Sequence, residues 1–363
     1  MNYLFDIGHP GQVHLLRHTI NALKSKGHKV IVTIKDIPSA TVLLEKFNIE
    51  YISLGKKFNS IFLKGFSQFR YNFRLYRIAK RENIDLGIGS SITIAHVSRL
   101  HKMKSIILDD DDPQAVKLFA QLAHPFAHTI LSPEALAPFR TSKKDITYPG
   151  SHELFYLHPN YFHPDPTILK ELNLQEDDVY FVLRFVAVKA YHDLGEEGLT
   201  LNQKLAIIDK VKHLGKVFIT SEKEIEPELE CYKLSLSAEK IHHLLYYATM
   251  FIGDSQTMTS EAAILGTPAL KCNSFAHRLS LPNLLEQKYD LCYAFSNIEF
   301  EKMLNKIDEL LENENLKQDW QKKAKIFIND SIDPTQFLVW FIENYPKSVS
   351  IMKSIPGYQF NFM

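Results

Sequence analysis

Strand-like and helix-like segments alternate along almost the whole chain, and this alternation restricts the fold more than any other feature. In the first half, apolar strand patterns near residues 2–7, 29–34, 49–53, 84–89, 104–108 and 128–131 are separated by helical patterns near 13–26, 38–47, 65–82, 92–101 and 113–123. A second alternating set runs from residue 179 to residue 328. Strands joined by helices form parallel sheets with right-handed crossovers. The sequence therefore predicts an α/β protein.

The chain is long enough for two domains. Its 363 residues, 45% of them hydrophobic, can bury two sizeable cores. Seven prolines fall between Pro125 and Pro166, a composition that breaks regular structure and suits a linker. We therefore predict a doubly wound N-terminal domain over 1–165 and a second one over 166–332. Residues 333–363 contain an amphipathic helical pattern, and we expect this segment to pack back on the N-terminal domain.

Charge, cysteine content and hydropathy exclude several classes of protein. Lys plus Arg number 42 and Asp plus Glu number 42, so no overall positive field recruits nucleic acid. Cys231, Cys272 and Cys292 have neither the pairing nor the spacing of disulfides or metal ligands, which fits a reducing compartment. The N-terminal apolar run is too short for a signal peptide, and no run is long enough to span a bilayer. We expect a cytoplasmic protein.

A basic and aromatic run from Lys64 to Arg81 leaves two interpretations open. Its aromatic and arginine residues recur at roughly helical spacing, which indicates a solvated helix with one buried face. The same composition is typical of a surface that meets an anionic lipid headgroup or a phosphorylated acceptor. The second interpretation would make the protein a peripheral partner of the inner membrane face.

The N-terminus predicts a strand, a turn and a helix. Residues 2–7 are apolar, residues 8–12 form the turn, and a helical pattern follows from residue 13. The turn contains Gly11 but lacks the G-x-G-x-x-G spacing, so a dinucleotide site is not supported. His9 in the turn and His14 in the first turn of the helix are candidate bases.

The stretch from residue 251 to residue 270 has the chemistry of a phosphate site. An apolar strand ends in Gly-Asp-Ser, and polar residues then open a helix. Free N–H groups and the positive end of the helix dipole attract phosphate, and Ser255, Gln256 and Thr257 can add side-chain donors. Glu261, one turn further along, could accept hydrogen bonds from two ribose hydroxyls. Spacing alone leaves open an ordinary helix that its Ser and Thr residues merely cap.

Four adjacent aspartates, Asp109 to Asp112, follow the fifth predicted strand. Four carboxylates cannot all ionise cheaply in one place, so one of them would carry a raised pKa suited to a general base. Asp110 and Asp109 are our candidates from this run, and His14 is the candidate outside it. Two other interpretations are open, because the run could recruit a divalent metal or its last aspartate could cap the next helix.

Ligands of doubly wound folds bind at the carboxyl ends of the strands, and with two such domains we expect the site in the cleft between them. Ser90 follows the fourth predicted strand and is expected to line this cleft. Arg184 ends the first strand of the second domain and could contact phosphate, with a surface salt bridge as the alternative.

These residues resemble two known groups of proteins. The stretch from Gly253 to Pro268 is similar to the nucleotide-sugar signature of the UDP-N-acetylglucosamine 2-epimerases and the related glycosyltransferase-B enzymes. The chain as a whole more closely resembles the domain of unknown function 354 family, whose members are described as predicted glycosyltransferases. The blocks that carry this resemblance are 6–10 with His14, 109–113, 125–127, 148–150, 156–157, 162–166, and Arg184 with Tyr191.

The resemblance implies a glycosyltransferase-B fold of two Rossmann-like domains and assigns roles to several residues. Ser255 looks like the epimerase hydroxyl that binds the distal phosphate, and Glu261 looks like the carboxylate that binds the ribose. Gln256 and Thr257 stand where the epimerases have paired glycines, which leaves the pyrophosphate less room. Of the epimerase run His-Arg-Arg-Glu-Asn the chain keeps only Arg184, and this departure argues against epimerase chemistry.

The motifs and the resemblance together predict an enzyme that binds a nucleotide-diphospho-sugar, with a UDP-sugar as first choice, and transfers the sugar to a glycan or lipid-linked acceptor of the cell envelope. Helix dipole and side chains would stabilise the departing diphosphate, so no metal or other cofactor is required. A nucleotide-sugar epimerase or hydrolase is one alternative, and a non-catalytic nucleotide-sugar-binding protein is another. The predicted substrate-binding residues are Ser255, Gln256, Thr257, Glu261, Arg184, His9, Gly11, Ser90 and Tyr191, and the catalytic candidates are His14, Asp110 and Asp109.

Overall fold

The chain folds into two compact units. The computed structural model describes residues 1–56, 61–185, 198–221 and 224–363, with the backbone alone described for residues 61–66. The first unit comprises Met1–Tyr161 together with Ser331–Met363, and the second comprises Phe162–Asp330. The predicted boundaries at residues 165 and 332 lie a few residues from these divisions.

The described residues of the first unit contain a seven-stranded sheet in the order β3-β2-β1-β4-β5-β6-β7. Neighbouring strands run parallel throughout. Its strands are β1 (Asn2–Ile7), β2 (Lys29–Asp36), β3 (Ile52–Lys56), β4 (Leu86–Ile88), β5 (Lys104–Leu108), β6 (Thr129–Pro133) and β7 (Asp145–Tyr148). The order reverses between β1 and β4, and doubly wound sheets bind ligands beside such a switch point.

Helices cover this sheet because their apolar faces need a buried surface. The helices are α1 (Pro10–Ser25), α2 (Pro38–Lys46), α3 (Ile61–Arg81), α4 (Ile92–Leu100), α5 (Lys117–Ala123) and α6 (Leu154–Leu157). In α3, Tyr71, Leu75 and Ile78 recur at helical spacing and pack in the core beneath the helix. This finding agrees with the interpretation of the basic run as a helix with one buried face.

The prediction of a linker between Pro125 and Pro166 is wrong. This segment contains the whole of β6 and β7 and the short helix α6. Its prolines do not interrupt the strands, since Pro133 is the last residue of β6 and Pro149 comes directly after β7. Proline is tolerated at strand ends because the ladder there no longer needs its missing N–H.

The described residues of the second unit contain a five-stranded parallel sheet in the order β12-β11-β10-β8-β9. Its strands are β8 (Tyr180–Arg184), β9 (Lys216–Thr220), β10 (Met250–Gly253), β11 (Ala269–Cys272) and β12 (Cys292–Phe295). Its helices are α7 (Thr167–Glu171), α8 (Leu201–Val211), α9 (Ile241–Tyr247), α10 (Gln256–Ile264), α11 (Ser280–Gln287), α12 (Phe300–Leu311) and α13 (Leu316–Asn329). The sequence pattern did not predict β12 or α11, which are too short to show a clear period.

The C-terminal segment belongs to the first unit. Its helices are α14 (Pro334–Glu343) and α15 (Lys347–Ser354), and α14 packs against α1 and α6. The ring of Phe337 lies 5.9 Å from that of Tyr148 at the end of β7, and Thr335 Oγ1 donates to the Phe155 carbonyl at 3.0 Å. Among the described helices, none is both long and apolar enough to cross a membrane.

Asp333 fastens α14 to the first unit. It is 2% exposed and caps the helix by accepting the Gln336 N–H at 3.0 Å. The same carboxylate accepts Asn160 Nδ2 at 2.8 Å and Tyr161 Oη at 2.9 Å. One buried side chain therefore holds both the helix start and the last residues before the second unit.

Replacing this anchor should destabilise the first unit. Asp333→Ala removes a cap and the acceptor of two partly buried hydrogen bonds, so urea denaturation should show a loss of about 2–4 kcal/mol. Asp330→Ala is the matched control, because that side chain is 45% exposed and accepts mainly from Tyr289 Oη at 2.9 Å. The control should cost less than about 1 kcal/mol. Equal losses in the two variants would contradict the anchoring role.

Candidate functional site

The polar candidates lie at the carboxyl ends of adjacent strands in each unit. In the first unit His9 and Gly11 follow β1, Ser90 follows β4, and the acidic run follows β5, three strands that are neighbours in the sheet. In the second unit Arg184 ends β8, and the predicted phosphate-binding turn follows the adjacent β10. The structure thus gathers the predicted residues into two sets, one on each unit.

A buried carboxylate, Asp6, lies at the switch point of the first sheet. It is 1% exposed, accepts Thr33 Oγ1 at 2.7 Å and also accepts the Ser91 hydroxyl. Ser91 in turn caps α4 by accepting the Ile94 N–H at 3.2 Å. Burial raises the pKa of Asp6, although Lys35 and the two hydroxyl donors act in the opposite direction.

Glycine is required where β4 passes Asp6. Gly89 has a φ of +147°, and a Cβ there would lie 2.6 Å from the Asp6 carbonyl oxygen. The chain therefore turns tightly from β4 into the Ser90–Ser91 pair. Ser90 itself donates its hydroxyl to the Leu108 carbonyl at 2.7 Å, which ties this turn to the end of β5.

Asp109 is the structural anchor of the acidic run. One carboxylate oxygen accepts Arg140 Nη2 at 2.8 Å and pairs with His124 Nε2 at 2.7 Å. Arg140 also donates to Ser132 Oγ at 2.8 Å, and both side chains of the Asp109–Arg140 pair are 2% exposed. A buried carboxylate held by two such partners fixes the loop after β5.

Asp110 forms an ion pair with a histidine that the sequence reasoning missed. Its Oδ1 lies 3.0 Å from Nδ1 of His152, which follows β7 and is 6% exposed. Burial alone would raise the pKa of Asp110, but the charge and hydrogen bond of His152 outweigh it and lower the pKa. Burial alone would lower the pKa of His152, and Asp110 reverses this as well, so that this pKa is raised.

Three buried polar atoms belong to the end of β7 and the loop after it, which carries His152. The Tyr148 hydroxyl, Ser151 Oγ and His152 Nε2 have no hydrogen-bond partner among the described residues. Each such atom costs about 1–3 kcal/mol, so native proteins rarely keep several together without a use for them. The sequence signal that could have exposed this loop is Tyr-Pro-Gly-Ser-His at a strand end, which the linker prediction obscured.

Asp111 is the aspartate of the run whose pKa lies near neutral pH. Desolvation, together with the negative charges of Asp110 and Asp109, raises the pKa of Asp111 to about 7. Its side chain is exposed, so charge repulsion within the run is the more robust cause. Its backbone is held on both sides, since its N–H donates to Asp109 Oδ1 at 3.3 Å and its carbonyl accepts Arg140 Nη2 at 3.1 Å.

The histidines predicted near the first turn occupy different surroundings. His9 is the N-cap of α1, and its Nδ1 accepts the Gly11 N–H at 3.2 Å. His14 is 7% exposed, with its ring centroid 5.5 Å from Tyr156 and 5.7 Å from Phe47. His9 therefore shapes the turn, and His14 packs among aromatic rings.

The first turn of α10 presents donors as the sequence predicts. Ser255 is the N-cap, and its side chain makes no capping hydrogen bond within the described part of the chain. Thr257 is exposed in the first turn. β10 and β8 approach closely at Gly253, where an added Cβ would lie 2.2 Å from the Arg184 carbonyl oxygen. The turn thus begins beside the end of β8.

A buried lysine that sequence reasoning missed points at this turn. Lys271 in β11 is 0% exposed, and its Nζ donates to the side-chain oxygen of Gln256 at the start of α10. Burial lowers the pKa of Lys271 to about 8, although Cys292 and Glu286 act in the opposite direction. A lysine within an apolar strand, Ala-Leu-Lys-Cys, was the available sequence signal.

Glu261 lies in the second turn of α10 and is held by a histidine. Its Oε1 lies 3.0 Å from His242 Nε2, and the two side chains are almost fully buried. His242 thereby orients the carboxylate predicted to bind ribose, and that role stays a prediction. Tyr191 lies outside the described residues. Among those residues, no group of three or more His, Cys, Asp or Glu side chains could hold a metal ion.

A family model for a protein of unknown function (DUF354) matches residues 1–345. The chain belongs to this family. The match covers the second unit, residues 1–161 of the first unit and α14 of the C-terminal segment, and it ends before α15. The family predicted from the sequence resemblance is confirmed. No curated protein matches the chain.

Solved structures share the fold at low sequence identity. S. aureus MnaA, solved with UDP, aligns at a TM-score of 0.69 and 12% identity over 96% of this chain and 98% of its own. The Neisseria meningitidis UDP-GlcNAc 2-epimerase bound to UDP-GlcNAc aligns at 0.63 and 13%, over 91% and 99%. The spinosyn forosaminyltransferase SpnP aligns at 0.64 and 13%, over 96% and 99%. The glycosyltransferase-B fold of two Rossmann-like domains is therefore confirmed.

The acidic run should give two stability changes of opposite sign. The pair of Asp110 with His152 stabilises the fold from above the ordinary aspartate pKa of 3.8 up to the raised pKa of the histidine. Asp110→Asn should therefore lower the melting temperature most near pH 6 and less at pH values above the raised pKa of His152. Asp111 has a pKa raised from 3.8 to about 7. Its negative charge therefore destabilises the fold fully above about pH 7, and below pH 3.8 the effect is absent. Asp111→Asn should raise the melting temperature at pH 8.

Solvent screens the partly exposed carboxylates, so each change should be about 0.5–1 kcal/mol, or roughly 2 °C. Scanning calorimetry from pH 5 to pH 9 measures both variants, with Glu45→Gln as an exposed control expected to show no pH-dependent difference. A pH-independent offset in both aspartate variants would refute the assigned electrostatics.

Proposed function

We propose that this protein binds a nucleotide-diphospho-sugar, a UDP-sugar as first choice, and transfers the sugar to a hydroxyl of a cell-envelope acceptor. The proposal depends on Lys271, which is fully buried. Among the residues that the structure describes, its hydrogen-bond partner is the neutral amide of Gln256. A buried ammonium group is costly unless an anion compensates it. A diphosphate at the start of α10 would supply that anion.

Several groups beside Lys271 favour a diphosphate over a single carboxylate. The N–H groups of the first turn of α10 and the helix dipole attract negative charge. Ser255 and Thr257 add hydroxyl donors at the same helix end, and Arg184 ends the adjacent strand β8. The solved neighbours add support, because they include complexes with UDP, UDP-GlcNAc and thymidine diphosphate.

In the proposed reaction the acceptor oxygen bonds to the anomeric carbon of the sugar. The bond from that carbon to the diphosphate oxygen breaks, and the nucleoside diphosphate leaves with the electron pair. Lys271 and the helix end would stabilise the charge that builds on the leaving group. The proton of the acceptor hydroxyl passes to a general base.

The acidic run is the proposed source of that base. A general base works best when its pKa lies near the operating pH, and Asp111 has a pKa raised to about 7. Asp110 and Asp109 then act as positioning residues, because their charges raise the pKa of Asp111 and their bonds fix the loop. Asp110, which is partly exposed, and His14 are the alternative bases.

A sugar-nucleotide epimerase is the second candidate, favoured by the epimerases among the structural neighbours. Of the epimerase run His-Arg-Arg-Glu-Asn the chain keeps only Arg184, and this difference argues against epimerase chemistry. A non-catalytic nucleotide-sugar-binding protein would keep the donor site without turnover. The three functions differ in what happens to the sugar, and this difference can be measured.

Nucleotide binding should take up a proton through Lys271. A bound diphosphate raises the lysine pKa from about 8, so UDP binding at pH 8 should take up about half a proton. Calorimetry in two buffers of different ionisation enthalpy measures this uptake. Lys271→Met should abolish it and weaken UDP binding by about 10- to 100-fold.

Glu261→Gln serves as the matched variant for this experiment. It should weaken UDP binding by a similar factor through lost ribose hydrogen bonds while leaving the proton uptake intact. Unchanged UDP affinity in both variants would remove α10 and Lys271 from the donor site. Binding without proton uptake in the unmodified protein would separate Lys271 from the phosphates.

A nucleotide-sugar assay should identify the reaction. With a UDP-sugar alone, a transferase should release UDP slowly and leave the sugar configuration intact in proton NMR spectra, and envelope acceptors should accelerate the release. Asp111→Asn should then lower turnover by roughly 10²- to 10⁴-fold with UDP affinity unchanged.

Other results of this assay select the alternatives. A new sugar signal without an acceptor indicates an epimerase, and binding without turnover for any acceptor indicates a binder. If His14→Gln rather than Asp111→Asn removes turnover, the base lies on α1. Full turnover in both variants would overturn the proposed proton acceptor.

A further inference from the structure

The outer surface of α3 and α5 exposes large apolar side chains that the candidate site does not use. Phe69 and Phe73 on α3 are 73% and 56% exposed, and Leu118 and Leu122 on α5 are 68% and 37% exposed. Phe126, just beyond α5, is 39% exposed. Grouped apolar side chains of this size mark interaction sites, whereas single ones need no explanation. We call this set the α3–α5 face.

Hydrogen bonds through α4 join the elements that carry these side chains. Asn72 Nδ2 of α3 lies 3.1 Å from Nδ1 of His96 in α4. Nε2 of the same ring lies 2.9 Å from the Leu122 carbonyl, and the ring meets Phe126 edge-on at 4.9 Å. The exposed side chains therefore lie on one connected surface of the first unit.

The charge of this surface is of one sign. No acidic residue occurs in 61–81, 92–108 or 113–133, the segments that supply the surface. These segments expose Arg70, Arg77, Lys80, Lys102 and Lys117. Within the described part of the chain, no ion pair joins any of these five to a carboxylate. The chain is neutral overall, so this local excess of positive charge is a property of the face.

We propose that the α3–α5 face docks the protein on an anionic lipid bilayer. Phenylalanine and leucine side chains enter the boundary of the acyl chains, while arginine and lysine side chains reach anionic headgroups. An acidic protein partner would need carboxylates at matching fixed positions, whereas a fluid headgroup layer accommodates flexible cations at any spacing. Charge complementarity thus favours the bilayer.

The helix is already formed for this role. Tyr71, Leu75, Ile78 and Ala79 bury the opposite face of α3 in the core, so the helix does not have to fold on the membrane. Docking then avoids the ordering cost that disordered membrane-binding segments have. None of the residues of the face belongs to the candidate site, so the proposal stands independently of the nucleotide-sugar hypothesis.

Vesicle sedimentation with the full chain tests the proposal. Binding to vesicles of phosphatidylcholine with about 30% phosphatidylglycerol should exceed binding to pure phosphatidylcholine at least tenfold and should fall as salt rises. Replacing three cations together, Arg70→Gln, Arg77→Gln and Lys80→Gln, should weaken binding by about 100-fold. The double change Phe69→Ser and Phe73→Ser should weaken it by at least tenfold.

Ile298→Ser is the control, because this side chain is 95% exposed and lies in the second unit. Its vesicle binding should equal that of the unmodified protein. Failure to bind either vesicle, equal binding to both, or full binding by the charge variant would overturn the proposal. Displacement from vesicles by inorganic phosphate would indicate a discrete phosphate site, and stronger binding to RNA than to vesicles would indicate a nucleic-acid surface. UDP affinity is measured in parallel, so a failed donor site is recognised separately.

Discussion

A parallel sheet covered by helices on both faces leaves its strand ends as the place for polar chemistry, and the rest of this structure follows from that constraint. The buried strands are filled with apolar side chains, so a charge inside them must be held by specific partners. Asp6 shows what this demands, since Thr33 and Ser91 satisfy its oxygens and Ser91 also starts α4. The switch point of the first sheet is thus built around one carboxylate.

The two units place different charged groups at their strand ends. In the first unit the strand ends gather carboxylates, of which Asp109 and Asp110 are neutralised by Arg140 and His152 while Asp111 keeps an exposed side chain. In the second unit the strand ends include two positive groups, Lys271 and the first turn of α10, together with the buried carboxylate of Asp254 directly after β10. In the proposed glycosyl transfer the first set would accept the proton and the second would stabilise the anionic leaving group.

The sequence predicted the position of a residue where that position depends on its own strand, and it missed residues whose partner comes from elsewhere in the chain. The acidic run and the turn at Ser255 were visible because hydrophobic periodicity places them at strand ends. His152 was hidden, because its partner Asp110 is far away in sequence and the prolines around β7 imitate a linker. Lys271 was hidden because a four-residue strand shows too little pattern to reveal a polar residue pointing inward.

Two lysines of the second unit differ in how completely their hydrogen-bond donors are satisfied. Burial lowers the pKa of Lys317 to about 7 and that of Lys271 to about 8. Lys317 donates to the carbonyls of Tyr246 and Ala248 and to Thr267 Oγ1, so its ammonium group is saturated beside the end of α9. Lys271 has one acceptor among the described residues, the Gln256 amide. An ammonium group has three N–H donors. The fold supplies acceptors for all three donors of Lys317, whereas Lys271, within the described ranges, has donors left that suit an anion from outside the chain.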